Sequence, residues 1–212
     1  MAFVTLMMLQ KGAVFKVLQI VGSASKRYFS KHQLARAGQN FSDYESIQRE
    51  YKPEVPEFFN FAKDVVDKWA NAEMGGRQPS NPALWWVSDE GNEVKWSFAE
   101  MSLTSKKAAR VLSEHCGLQK GDRVIVILPR IPEWWLLNVA CIRTGTVLIP
   151  GTTQLTEKDL LYRMKASKAR CIITDHVLAP TVDVVASKCP SLECKMIVSQ
   201  QPREAGYTST TC

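Results

Sequence analysis

The side chains with intrinsic reactivity are six cysteines, three histidines and a scatter of acids, and their spacing limits what they can do. Cys116, Cys141, Cys171, Cys189, Cys194 and Cys212 contain no C-x-x-C pair, and Cys141 and Cys171 sit inside apolar runs. Such thiols behave as small hydrophobes, so reduced cysteines are expected in place of a disulfide framework. With only His32, His115 and His176 available, a zinc site has little support. Asp122, Glu133 and Asp159 fall at turns or helix starts, where a carboxylate caps N–H groups and complements the helix dipole. No phosphate loop, dinucleotide glycine turn, nucleophile elbow or H-E-x-x-H motif is present. Pattern alone therefore assigns no catalytic residue and no metal ligand. The pairs Trp85-Trp86 and Trp134-Trp135 could line a ligand groove, but core packing is the expectation for such bulk. The hydroxyl-rich tail Tyr207 to Cys212 has no Gly or Lys to meet a phosphate and reads as a frayed terminus. Gln154, a polar loop residue after a strand, lies where ligand contacts gather in open α/β sheets.

The formal charge of +6 is concentrated at the front of the chain. No acid precedes Asp43, and removal of residues 1–29 would take Lys11, Lys16, Lys26 and Arg27, leaving +2. The later cations alternate with acids, so no basic stripe for a nucleic acid remains. Phe3, Leu6, Met7, Gln10, Val14, Val17, Leu18 and Val21 recur at helical spacing, interrupted by Lys11 and Lys16. An acid-free, basic, amphipathic start is the pattern of a mitochondrial presequence over residues 1–29, not of a membrane span or a secretory signal. Arg27-Tyr28-Phe29-Ser30 resembles a matrix-processing site, and the mitochondrial matrix is the expected compartment.

Residues 30–56 read as a linker, 57–199 as one domain and 200–212 as a divergent tail. Apolar spacing predicts a helix from Glu57 to Glu73, stopped by Gly75-Gly76. Leu84–Val87 and Val94–Trp96 flank a Gly-bearing turn and predict a hairpin. Ser97 and Glu100 then have the spacing of a capping box for a helix ending at Gly117. Short apolar strands follow at 123–128, 146–149, 171–174 and 195–198, alternating with helices at 132–143, 156–167 and 177–188. Pro150-Gly151 should end the second of these strands. This rhythm defines an α/β fold of parallel-sheet βαβ units with right-handed crossovers.

Several collinear blocks resemble the mitochondrial medium-chain acyl-CoA synthetases, a branch of the AMP-forming adenylating enzymes. They are Pro56–Trp69, Pro82–Val87, Lys95–Phe98, Gly121–Val124, Leu128-Pro-Arg-Ile-Pro-Glu-Trp-Trp-Leu136, Pro150-Gly-Thr-Thr-Gln154, Leu161–Arg163 and Ser187–Ser191. The resemblance implies the first part of an adenylating-enzyme N-terminal domain. It also implies the reaction of ATP, a medium-chain fatty acid and CoA, with Mg2+, to acyl-CoA, AMP and pyrophosphate. By that resemblance Gln154 contacts CoA. The family's phosphate-binding loop, its later nucleotide-binding acids and its catalytic lysine lie beyond residue 212. The chain by itself is accordingly expected to be a truncated and inactive form. A non-catalytic module that associates with full-length synthetase, and an independent Rossmann-type nucleotide-binding domain, are the contrasting expectations. The latter requires a glycine-rich turn after the first parallel strand, and Leu128-Pro129-Arg130 is not one.

Overall fold

The computed structural model describes residues 2–5, 44–50, 55–77, 81–199 and 209–210. Its chain divides into two compact units, one comprising Met1–Gln10 with Phe59–Cys212 and the other Lys11–Phe58. In the smaller unit, α1 (Tyr44–Glu50) is a helix where the sequence reads as linker. Glu45 in its first turn and Arg49 in its last suit the dipole, and the Arg49 side chain donates to the Glu45 carbonyl at 3.3 Å.

In the larger unit a π-helical stretch, Ala62–Asp67, runs directly into α2 (Lys68–Met74). This helix starts later than the apolar spacing from Glu57 predicts, because Asn60 caps it. The Asn60 side-chain oxygen accepts from Lys63 N–H at 3.2 Å, while Asp64 reaches back to Asn60 N–H at 2.6 Å. The hairpin of β2 (Pro82–Val87) and β3 (Glu93–Ser97) forms as expected. Ser97 and Glu100 make the reciprocal capping box that opens α3 (Phe98–Arg110), continued by π-helical Val111–His115.

The remaining elements are β4 (Arg123–Ile127), α4 (Pro132–Thr144), β5 (Val147–Gly151), α5 (Glu157–Ser167), β6 (Cys171–Thr174), α6 (Ala179–Ala186) and β7 (Cys194–Val198). They build a parallel sheet in the order β7-β6-β4-β5. Two short strands also pair in parallel with β7: β1 (Ala2–Thr5) and β8 (Ser209–Thr210). Both correct the sequence reading. Ala2–Thr5 is not the first turn of an amphipathic helix, and Ser209–Thr210 is not frayed, because each satisfies backbone groups along the β7 edge. Residues 6–29 of the expected presequence lie outside the described residues. Pro150 does not end β5, which continues through Gly151. The strand sits at the sheet margin, where a missing N–H costs no ladder bond. Helix α6 is shorter than predicted because Asp175 accepts from Leu178 N–H at 2.9 Å and Pro180 sits in the first turn.

Alternation along β4 divides the core between two faces. Val124 and Val126 pack with Met101, Leu112, Leu136 and Ala140 under α3 and α4. Ile125 and Ile127 pack with Leu160, Met164, Val182 and Val185 under α5 and α6. At the amino ends of the strands, Arg170 is clamped by Asp122 and Glu193. A second ionic anchor joins three helical segments: Arg143 forks onto Asp67 at 2.9 and 2.7 Å, and Ser102 donates to Asp67 at 2.6 Å. Burial by itself would raise the Asp67 pKa, but the hydrogen bonds from Arg143 and Ser102 and their charge environment hold it at about 2.

Candidate functional site

The carboxyl ends of the strands are where this topology opens a crevice. The chain leaves β4 for α4 on one face, but leaves β5 and β6 for α5 and α6 on the other. Loops that diverge to opposite faces create the gap in which open α/β sheets bind ligands. Ile127, Gly151 and Thr174 form one register row at that end. Arg130 and Gln154 each lie three residues beyond a member of the row.

Gly151 permits close approach at the end of β5. A Cβ there would lie 2.9 Å from Ile127 Cγ1 and 3.1 Å from Leu155 Cδ1. The chain then turns, with Leu155 N–H donating to the Thr152 carbonyl at 3.3 Å and Gln154 N–H to Thr152 Oγ1 at 3.3 Å. Thr156 and Asp159 form a capping box and start α5. The Thr156 hydroxyl and N–H hold the Asp159 carboxyl below the ordinary aspartate range. Gln154 is thus exposed on a short loop pinned at both ends.

On the β4 side, Leu128, Pro129, Arg130 and Ile131 form one wall of an open groove of about 930 Å³. The hairpin turn from Trp86 to Glu90 forms a second wall, and Trp134 and Trp135 of α4 complete it. Trp86 Nε1 donates to the Arg130 carbonyl at 2.6 Å and ties hairpin to loop. Trp134 and Trp135 meet edge to face, with centroids 4.8 Å apart. The expectation that both tryptophan pairs fill the core is corrected here. Trp85 is 58% and Trp135 53% exposed, and Lys95 Nζ stands 4.1 Å over the Trp85 ring. Strand alternation sends Trp85 to the opposite face from Trp86, and only Trp86 of that pair joins the groove. Among the described residues no carboxylate pairs with the Arg130 guanidinium, which leaves a cation beside an aromatic surface.

Thr174 adds a polar group at the base of the same strand ends. Its side-chain hydroxyl is buried without a partner, although buried hydroxyls are ordinarily satisfied. Arg130 and Thr174 carried no motif by themselves. The signal that could have found them is positional, since both sit at the carboxyl end of a buried parallel strand. The acids expected to be structural behave so: Asp122 accepts from Gln119 N–H at 2.7 Å and Asp159 caps α5. His115 and His176 are exposed, while His32 lies outside the described residues.

The five described cysteines are free and buried, and Cys212 lies outside the described residues. Three of them, Cys116, Cys171 and Cys194, bring their sulfurs within 4.8 Å of one another. This convergence has no sequence signature, because the three lie far apart along the chain and no spacing motif links them. The neighbouring Cys116 and Cys194 sulfurs, with burial, hold the Cys171 thiol well above its ordinary pKa.

A doubly wound α/β sheet with an open site at its carboxyl ends defines the class of protein, and comparison with known proteins identifies its lineage. The chain belongs to the AMP-binding enzyme family, which matches residues 71–211. It is 57% identical over 204 residues to human acyl-coenzyme A synthetase ACSM3, mitochondrial, a match covering 96% of this chain and 34% of that protein. Mouse ACSM3 is 64% identical over 166 residues, covering 78% of this chain and 29% of the relative. The chain therefore spans about a third of the length of these relatives. Among solved structures, the anthranilate CoA ligase AuaEII in complex with anthranoyl-AMP aligns with a TM-score of 0.59 at 18% identity, covering 73% of this chain and 27% of that one. Acetoacetyl-CoA synthetase from Streptomyces lividans aligns with a TM-score of 0.58 at 21% identity, covering 68% and 24%. At these identities the structural likeness concerns the fold. Among the described residues no helix is long and apolar enough to cross a membrane.

Proposed function

We propose that this chain supplies the first portion of the N-terminal domain of an AMP-forming medium-chain fatty acid–CoA ligase of the mitochondrial matrix, with residues 1–29 as its presequence, so that β1 is present only before processing. The reaction joins a fatty acid to ATP as acyl-AMP with release of pyrophosphate, and CoA thiol then displaces AMP. The observation that carries this reading is the 57% identity over 204 residues to human ACSM3, laid on a sheet whose carboxyl ends present an open groove.

Within that reading the role of this chain's residues is binding and positioning. Gln154 meets CoA through an exposed side-chain amide that can both donate and accept. Arg130 supplies a fixed positive charge beside an aromatic wall suited to a flat or apolar ligand part. Mg2+ takes oxygen ligands, and among the described residues the group of three or more metal-capable side chains is made of thiols. These residues do not fit Mg2+, so no step is assigned to it on this chain. No base or phosphate cradle is assigned to this chain's residues, and the chain alone is expected not to turn over.

The test combines turnover with binding. The full chain is given ATP, Mg2+, CoA and an octanoate-class acid, and acyl-CoA and AMP are measured. CoA binding is measured by calorimetry on the wild type and Gln154→Ala. No turnover, with CoA binding weakened about tenfold by loss of one amide contact, is expected. Acyl-CoA formation would overturn the inactive reading, and CoA binding indifferent to Gln154 would remove that residue from the site.

A further inference from the structure

Outside the groove, the described residues concentrate reactive groups in one other place. Cys171 and Cys194 are register partners on the adjacent parallel strands β6 and β7, and they face the same core layer. Cys116 enters that layer at the end of the helical segment after α3, where its N–H donates to the Val111 carbonyl at 3.0 Å. The three sulfurs lie mutually within 4.8 Å, carried by two central strands and a helix end. All three residues are buried, at 7%, 0% and 4% exposed in the order Cys116, Cys171, Cys194.

The surroundings decide what such a trio can hold. The neighbours within the layer are apolar, among them Leu118, Val124, Ile173 and Met196. Among the described residues no histidine or carboxylate joins the cluster as a fourth ligand. Three thiolates around a divalent cation would leave an uncompensated negative charge in this layer, and a monovalent cation would leave more. Burying such a charge without a partner is strongly unfavourable. A trivalent centre is different, because three thiolates neutralise it completely.

We propose that Cys116, Cys171 and Cys194 form a three-thiol capture site for a neutral, trivalent, thiophilic hydroxide of the arsenous acid class. Each thiol S–H bond breaks and an S–As bond forms, each As–OH bond breaks, and each proton leaves with a hydroxide as water. One As(OH)3 and three thiols give one As(SR)3 and three waters. Arsenic remains trivalent, no electron acceptor is needed, and reagent and product are both uncharged. With bonds of about 2.3 Å, the length typical of a zinc–thiolate bond, and pyramidal angles near a right angle, the sulfurs would sit roughly 3.3 Å apart. From a mutual separation within 4.8 Å this asks each sulfur to move inward by less than about 1 Å. The adduct would staple β6, β7 and the end of the α3 segment together.

The probe is sodium arsenite added to the reduced full chain, followed by mass spectrometry of the intact protein and counting of alkylatable thiols. The expected product carries one arsenic less three hydrogens, loses three of six alkylatable thiols and melts at a higher temperature. A two-thiol adduct differs in mass, because it retains a hydroxyl on arsenic. Cys116→Ser, a near-isosteric change, should abolish the three-thiol mass, and Cys171→Ala and Cys194→Ala should do the same. Cys141→Ala and Cys189→Ala, outside the trio, should leave the mass gain and the rise in melting temperature unchanged. No adduct on the wild type, an adduct that keeps a hydroxyl, or a three-thiol adduct that survives Cys116→Ser would each overturn the proposal.

Discussion

Replacing Asp67 by alanine is expected to destabilise this protein by about 3 kcal/mol, the lower end of the range for breaking a largely buried ion pair. The magnitude follows from what the carboxylate holds. Arg143 is only 11% exposed and gives Asp67 two charge-assisted bonds, at 2.9 and 2.7 Å, while Ser105 Oγ accepts from Arg143 Nε at 2.9 Å. Lys106 Nζ stands 3.3 Å from the same carboxylate. Alanine leaves Arg143 with one neutral acceptor in a tight space. The lower end applies because Asp67 is itself 19% exposed and water can partly compensate. Arg143→Met should cost less, about 2 kcal/mol, since Ser102 and Lys106 still face the carboxylate. The double variant Asp67→Ala/Arg143→Met should then cost less than the two single losses together, by about 2 kcal/mol. Urea unfolding followed by circular dichroism reads these differences, and a loss of 3 kcal/mol moves the midpoint by about 1.5 M at a typical slope. Acid adds a second reading. Asp67 has its pKa lowered from 3.8 to about 2 in the folded protein, so its contribution is complete above pH 3.8 and disappears as pH falls through about 2. The slope of stability against pH in that window should flatten in Asp67→Asn. Additivity of the two single variants within about 0.5 kcal/mol, or an unchanged acid slope, would refute the argument.

Other expectations rest on independent features. Ser97→Ala removes the acceptor for Glu100 N–H at 3.1 Å and should cost about 1 kcal/mol in the same unfolding assay, with Ser97→Thr largely retaining stability. Gly151→Ala places a methyl against Ile127 and Leu155 and should cost about 1–3 kcal/mol while weakening CoA binding through displacement of the Gln154 loop. Stability lost without any change in CoA binding would separate that loop from the ligand. Gly145→Ala puts a side chain at φ +72 and should cost about 1–2 kcal/mol, read as a lower thermal midpoint.

Much of the architecture was legible because local chemistry and periodicity agreed. The capping boxes at Ser97 and Thr156, the proline at the start of α4 and the left-handed Gly145 after it are decided within a few residues. Continuous apolar runs such as Val124–Leu128 announced strands covered on both faces, and their alternation with helices settled the α/β class. Family membership was legible for the same reason, since collinear blocks survive in the linear sequence. Element limits were less so. The start after Glu57 depended on the Asn60 cap, and the passage of β5 through Pro150 depended on its place at the sheet margin.

Tertiary structure alone decided what came together. The Arg143–Asp67 fork spans 76 positions, and no propensity or spacing links its partners. The same holds for the groove that joins Trp86 to Arg130 and for the unpartnered hydroxyl of Thr174 at the strand ends. Three cysteines that look like unrelated apolar residues in the chain converge within 4.8 Å because two strands pair in register and a helix ends above them. Periodicity specifies which face of an element is buried. Strand order and crossover hand specify which buried faces meet, and therefore which side chains can act together.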